Sequence, residues 1–181
     1  MEEQIIIAGF GGQGVQLIGQ LLTYAGMNEG KNVSFLPSYG PEMRGGTTNC
    51  NVIIADEPVG SPIVGEATAA LVLNRPSMDK FEDAVAPGGA LIINSSLIER
   101  ECKRTDIKAY AVPANDIARD LGNDRVANMV MLGAYIEHSK AVSVDTIMGQ
   151  LKKSFGERRA HLLPVNREAI DAGAKCVRDA Q

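Results

Sequence analysis

Gly9-Phe10-Gly11-Gly12-Gln13-Gly14 follows the apolar run Ile5-Ile6-Ile7-Ala8 and precedes Val15, Ile18, Leu21, Leu22 and Ala25. The β-branched run predicts a buried parallel strand. The three- and four-residue spacing after it predicts a helix face, and Gly30 ends the unit. Asn32 to Leu36 reads as a second strand, completing a strand–helix–strand unit. At such a junction G-x-G-x-x-G has physical meaning: glycine lets the backbone turn tightly, and the free N–H groups of the helix start attract an anion. Two readings stay open, a phosphate or pyrophosphate cradle and a tight turn that only brings the helix onto the sheet. A nucleotide site that grips a ribose usually has an acid at the end of the second strand, about 20 residues on. Here that strand ends at Leu36-Pro37-Ser38, Glu29 lies before it, and no arginine suits a 2′-phosphate. Ordinary NAD(P) binding is therefore disfavoured.

Working outward, Pro37-Ser38-Tyr39-Gly40-Pro41-Glu42-Met43-Arg44-Gly45-Gly46 carries two prolines and three glycines and reads as irregular. Thr47 to Ala55 then reads as a strand with Cys50, Val52 and Ile54 on one face. Its short link to the second strand leaves no room for a crossover helix, so it should run antiparallel to its neighbour or lie at a sheet edge. Further strands are predicted over Ala69 to Leu73, Ala90 to Asn94 and Lys108 to Val112. A short helix is predicted over Met78 to Val85, stopped by Pro87-Gly88-Gly89, and another over Pro113 to Leu121. Longer ones open at Asp124, after Ser143 and near Val165, with Glu157-Arg158-Arg159 as an exposed turn. Strands alternating with helices, then a helical C-terminus, predict one α/β domain over residues 1–181. Its sheet should be doubly wound, open and mostly parallel, with one antiparallel or edge strand.

A chain of 181 residues, 45% hydrophobic, can bury a core without disulfides. Eighteen Lys plus Arg against 22 Asp plus Glu, with no Trp, argue against nucleic acid as a partner. Met1-Glu2-Glu3-Gln4 is acidic where a secretory signal is basic, and no apolar run approaches the roughly 18 residues of a membrane span. A soluble cytoplasmic protein with no membrane partner is expected. Cys50, Cys102 and Cys176 stand apart, so neither a zinc nor an iron–sulfur pattern is present and no metal site is expected. His138 and His161 read as surface or capping residues, and no H-E-x-x-H, G-x-S-x-G or paired-carboxylate pattern appears. No catalytic residue is assigned, and the chain is not expected to be active alone. The loop from Tyr39 to Gly46 combines permissive backbone with the Tyr and Arg types that anchor interfaces, and is read as a partner or substrate loop.

The order GFGGQG, SYGPEMRGG with TTNCNVIIAD, GSPIV, LNRPS and NDRVANMVMLGA resembles the gamma subunit of 2-oxoacid:ferredoxin oxidoreductases over nearly the whole chain. The resemblance implies a Rossmann-like domain in a multisubunit enzyme that oxidatively decarboxylates a 2-oxoacid, with 2-oxoglutarate favoured over pyruvate or branched-chain acids. Such complexes use thiamine diphosphate, iron–sulfur clusters and coenzyme A; none is expected to be bound tightly by this chain. Partners implied are alpha and beta subunits, with or without a delta, and ferredoxin through the complex; a homodimer is expected in isolation. By this likeness Gly9, Gly11, Gly12, Gln13 and Gly14 form a cofactor-binding loop on the coenzyme A side. Tyr39, Gly40, Pro41, Glu42, Met43, Arg44, Gly45 and Gly46 form the second loop, and Asn74 and Asn128 are further matches. Helix start is the plainer role for Asn74 and a satisfied buried amide that for Asn128, whose functional reading is to orient a loop through its side-chain amide. Two alternatives are an independent NAD(P)- or FAD-binding oxidoreductase domain and a purely structural interaction module.

Overall fold

Alternate residues of the first strand feed two separate cores, which is why the run is apolar throughout. In β1 (Glu2–Phe10), Ile5 and Ile7 belong to one buried cluster and Ile6 to the other. The computed structural model describes residues 1–39 and 46–181. Five further strands join β1: β2 (Asn32–Tyr39), β3 (Thr47–Ala55), β4 (Ala67–Val72), β5 (Val85–Asn94) and β6 (Lys108–Val112). They form one sheet in the order β2-β3-β1-β4-β5-β6. The β1–β4, β4–β5 and β5–β6 pairs are parallel, and β3 runs antiparallel to both β1 and β2.

The larger core is built from α1 (Val15–Asn28), α3 (Ala114–Asp120), α4 (Ala127–Ser139), α5 (Val144–Phe155) and α6 (Leu163–Ala180). Helix α4 is buried from Asn128 to Ile136, lying between the sheet and α6. A Cβ on Gly173 of α6 would collide with the Val130 carbonyl oxygen, so only glycine lets these two helices approach so closely. The opposite face is covered by α2 (Arg75–Phe81), whose Met78 packs with Val64, Val85 and Ile98.

The antiparallel direction expected for β3 is present, but β3 lies inside the sheet and β2 takes the edge. Strand β2 also runs on to Tyr39, pairing Pro37, Ser38 and Tyr39 with Cys50, Asn49 and Thr48, where irregular chain was expected. An edge strand tolerates Pro37 because only one side needs ladder hydrogen bonds. Pro87-Gly88-Gly89 lies within β5 instead of ending a helix at Val85; α2 ends at Phe81 and passes through a 3-10 turn, Glu82–Ala84. The pairing register shifts between Ala67 and Ala69, and this irregularity absorbs the turn residues. Glu157–Leu162 is a 3-10 segment and not an open turn, and Asp124–Val126 is another that leads into α4. Ser143 caps α5 as expected, its hydroxyl accepting from the Thr146 N–H at 3.1 Å.

From β1 the chain crosses through α1 to one side of the sheet, and from β4 it continues to the other. The strand order therefore reverses between β1 and β4, where open α/β sheets form their ligand crevice beyond the carboxyl ends of the strands.

Candidate functional site

The glycine loop is held from below by its own glutamine. The Phe10 N–H donates to Gln13 Oε1 at 2.6 Å, and Gln13 Nε2 reaches the Leu73 carbonyl at 3.4 Å. Gly9 makes room for this, since a Cβ there would lie 2.7 Å from Gln13 Oε1. Gly14 takes the left-handed conformation, φ 79°, directly before α1, and a Cβ there would strike the Asn128 amide. Helix α1 starts with no side-chain cap and no acid in its first turn, and so does α4. The α1 start keeps its partial positive charge uncompensated, whereas α4 continues from the 3-10 turn that carries Asp124 and is capped by Asn123 Oδ1 accepting from the Arg125 N–H at 3.0 Å.

A cavity of about 500 Å³ opens beside this loop. Gly12, Gln13 and Gly14 form one wall, and Leu73 and Asn94, at the ends of β4 and β5, form its floor. The rest comes from Asn115 in the first turn of α3 and from Asp124, Arg125, Ala127 and Asn128 around the start of α4. Asn94 is 1% exposed; its Nδ2 donates to the Leu73 carbonyl at 3.2 Å and to Asn115 Oδ1 at 2.7 Å. Its Oδ1 is buried without a partner. Asn128 turns its own Oδ1 onto the Met129 N–H at 3.0 Å, so its amide nitrogen faces Gly14.

The residues read from the sequence divide accordingly. Gly12, Gln13, Gly14 and Asn128 meet at the cavity, whereas Gly9 lies buried beneath the loop. Gly11 is exposed and ties the two loops together, its N–H donating to the Gly46 carbonyl at 3.1 Å. Tyr39 pairs with Thr48 at the end of β2. Gly40, Pro41, Glu42, Met43, Arg44 and Gly45 lie outside the described residues. Asn74 is away from the cavity wall: it caps α2 by accepting from the Ser77 N–H at 2.9 Å. Asn94, Asn115, Asp124 and Arg125 were missed. For Asn94 a signal exists, because Leu91-Ile92-Ile93-Asn94 places a polar residue at the carboxyl end of an apolar parallel strand.

The position of β3 weighs against a dinucleotide of the usual kind. It separates the end of β2 from β1 by two strand spacings, about 9–10 Å, where one spacing normally brings a ribose-binding acid within reach. The cavity lies instead on the β4–β6 side of the loop. The thiols are remote from it: Cys50 sits under α1, its pKa pushed up to about 12 by burial, and Cys102 packs against the other face. Among the described residues no group of three or more His, Cys, Asp or Glu is placed to hold a metal. No helix among them is long and apolar enough to cross a membrane.

Residues 4–176 match the model of the pyruvate ferredoxin/flavodoxin oxidoreductase family. The chain is 38% identical over 179 residues to ketoisovalerate oxidoreductase subunit VorA of Methanothermobacter thermautotrophicus; the match covers 98% of this chain and 37% of that relative. It therefore spans little more than a third of that protein's length. Among solved structures, the gamma subunit of a keto/oxoacid ferredoxin oxidoreductase from Geobacter sulfurreducens superposes with a TM-score of 0.82 at 29% identity, covering 98% of this chain and 99% of that one. The 2-oxoglutarate:ferredoxin oxidoreductase of Magnetococcus marinus, solved with 2-oxoglutarate, coenzyme A and succinyl-CoA, shares the fold at a TM-score of 0.90 and 24% identity, over 98% of this chain and 31% of that one. By its match to the family model over almost its entire length, the chain belongs to the pyruvate ferredoxin/flavodoxin oxidoreductase family.

Proposed function

We propose that the chain is the gamma subunit of a multisubunit 2-oxoacid:ferredoxin oxidoreductase, which converts a 2-oxoacid to an acyl-CoA and reduces ferredoxin. The observation that carries this is the Gly11–Gly46 hydrogen bond, which joins the glycine loop to the root of the second loop at the ligand-binding edge of the sheet. Thiamine diphosphate and the iron–sulfur clusters belong to alpha and beta partners. The three thiols here do not converge: Cys50 and Cys102 pack in different cores and Cys176 lies on α6. Coenzyme A fits the chain better, since the open start of α1 and the glycine loop suit its phosphates. When bound, coenzyme A supplies the thiol that accepts the acyl group. The two loops bind and orient it and close against the partner subunits, keeping water from the reacting centre. Tyr24 and Met27 of α1 and Leu36 of β2 are exposed apolar side chains at the sheet edge, and the partner subunits cover them. In isolation the same surface drives a homodimer. The substrate is 2-oxoglutarate; VorA, named for ketoisovalerate, makes branched-chain acids the main rivals.

A tagged copy purified from its native host tests the reading. Larger subunits carrying iron–sulfur clusters should accompany it, and full activity without them would overturn it. In the reconstituted complex, Arg44→Ala should leave assembly intact and raise the KM for coenzyme A about tenfold, the loss of one charge-assisted contact. Failed assembly with that variant would instead indicate a purely structural loop.

A further inference from the structure

Helix α1 is a surface helix without a charged side chain. Val15, Ile18, Leu21, Leu22 and Ala25 face the core, yet Gln20, Tyr24 and Met27 are exposed, the last two by more than half. A helix face turned to water ordinarily carries charge, and a face depleted of it has the composition of an interface centre. Leu17, Leu21 and Tyr24 recur at one-turn spacing along α1 and form one wall of a groove of about 250 Å³. Gln150, Lys153 and Ser154, at the same spacing on α5, form the other wall. No residue of the glycine loop lines it.

Cations gather beside this groove. Residues 152–159 carry four of them and one acid, in a chain of net charge −4. Nearby Arg167 is paired with Asp145 and Asp171. Lys152, Lys153, Arg158 and Arg159 are all exposed and meet no acidic side chain among the described residues. Lysines in the last turn of a helix compensate its dipole and need nothing further. Arg158 and Arg159 lie beyond that helix, in the 3-10 segment, where the dipole does not account for them. The Arg159 guanidinium is held over the Phe155 ring, 4.9 Å from its centroid, and donates to the Ser154 carbonyl at 3.4 Å. The fold thus fixes a cation next to the groove wall and leaves it unneutralised.

We propose that this groove docks an acidic segment of a partner polypeptide. One large apolar side chain of the segment enters between α1 and α5, and flanking carboxylates meet Lys152, Lys153, Arg158 and Arg159. Only that combination satisfies an uncharged centre and a basic rim together. Nucleic acid supplies the negative charge but no aliphatic anchor, and Tyr24 alone is no stacking platform. An anionic bilayer supplies charge over a flat surface and sends no side chain into a recess. That the segment belongs to another subunit of the complex rests on the reading above; its chemistry does not.

The probe is a short capped peptide of glutamates around one central leucine, titrated into the ¹⁵N-labelled full chain. Saturable shifts of the Leu17, Tyr24 and Lys153 amides are expected. Replacing the peptide's leucine by serine should weaken binding about tenfold. The double variant Lys152→Gln, Lys153→Gln, at exposed positions, should weaken it by a similar factor. Ser154→Trp, also exposed, should fill the groove and abolish binding while leaving the rest of the spectrum in place. Absence of shifts, equal binding of the serine peptide, or equal binding of a peptide with lysine in place of glutamate would each overturn the inference. So would vesicles of phosphatidylserine and phosphatidylcholine that move the same amides when the peptide does not. In the complex purified through this chain, a photo-crosslinking residue in place of Gln150 should capture an acidic segment of another subunit. Capture of a second copy of this chain, or no product while cluster-bearing subunits co-purify, would remove the inference and leave the assembly reading standing. Peptide binding by a chain that purifies alone would do the reverse.

Discussion

At the edge where the parallel strands begin, buried polar groups have partners; at the edge where they end, several do not. Glu3 accepts from the Tyr135 hydroxyl and from Thr68 Oγ1, each at 3.0 Å. Just before β5, the Glu82 carboxylate, 6% exposed, meets Arg100 at 2.8 Å and the Lys103 N–H at 2.6 Å. Half-buried His138 shares a 3.2 Å hydrogen bond with Tyr110; burial and then Lys108 lower its pKa. At the far edge, Gln16 Oε1, Asn74 Nδ2, Ser77 Oγ and Asn94 Oδ1 are the buried side-chain atoms without a partner among the described residues. All four follow a strand's carboxyl end or sit in the first turn of a helix that does. Unpaired groups cost stability, so the beginning edge contributes more to the fold than the ending edge does.

The sharpest way to break this contrast is Arg100→Leu, which strands Glu82 at the paired edge. Loss of one partner of a buried ion pair should lower unfolding free energy by about 3 kcal/mol in urea titration. Burial pushes the Glu82 carboxyl up, but Arg100 and the Lys103 N–H outweigh it and hold the pKa below the ordinary 4.5. Because the folded value is the lower one, that stabilisation is full above pH 4.5 and is lost as pH falls through the folded pKa. The gap between wild type and Arg100→Leu should therefore narrow in acid; a gap constant with pH would detach Glu82 from the effect. Next in size, Gly14→Ala combines left-handed backbone with a clash on Asn128 and should cost about 2 kcal/mol by thermal unfolding. Tyr135→Phe leaves Glu3 its Thr68 bond and should cost about 1 kcal/mol in the same assay. Smallest of all, Ser77→Ala removes an oxygen that already lacks a partner, and stability should move by no more than about 0.5 kcal/mol. A large loss there would show that the two edges are not so different.

Much of this was readable in advance. The sequence periodicity located β1, α1 and β3, and the short link from Leu36 to Thr47 pointed to a β3 that is antiparallel or at an edge, of which the first holds. The interior place of β3 was not readable, because pairing order depends on contacts between residues far apart in the chain, such as Ile5 with Val52. Proline and glycine misled at Pro37 and at Pro87-Gly88-Gly89, where an edge and a register shift accommodate them. Four members of the glycine-loop and Asn128 set reach the cavity, since a turn motif encodes its own geometry. Asn115 and Arg125 gave no comparable signal, because only the return of α3 and α4 to the sheet end brings them beside Gly12.

The hairpin formed by β2 and β3 has a consequence for how this chain can change. The roots of its connection are fixed twice, by the pairing of Tyr39 with Thr48 and by Gly46 bonded to Gly11. With both ties in place, the end of the hairpin and the glycine loop form one frame, so a displacement of either is carried to the other.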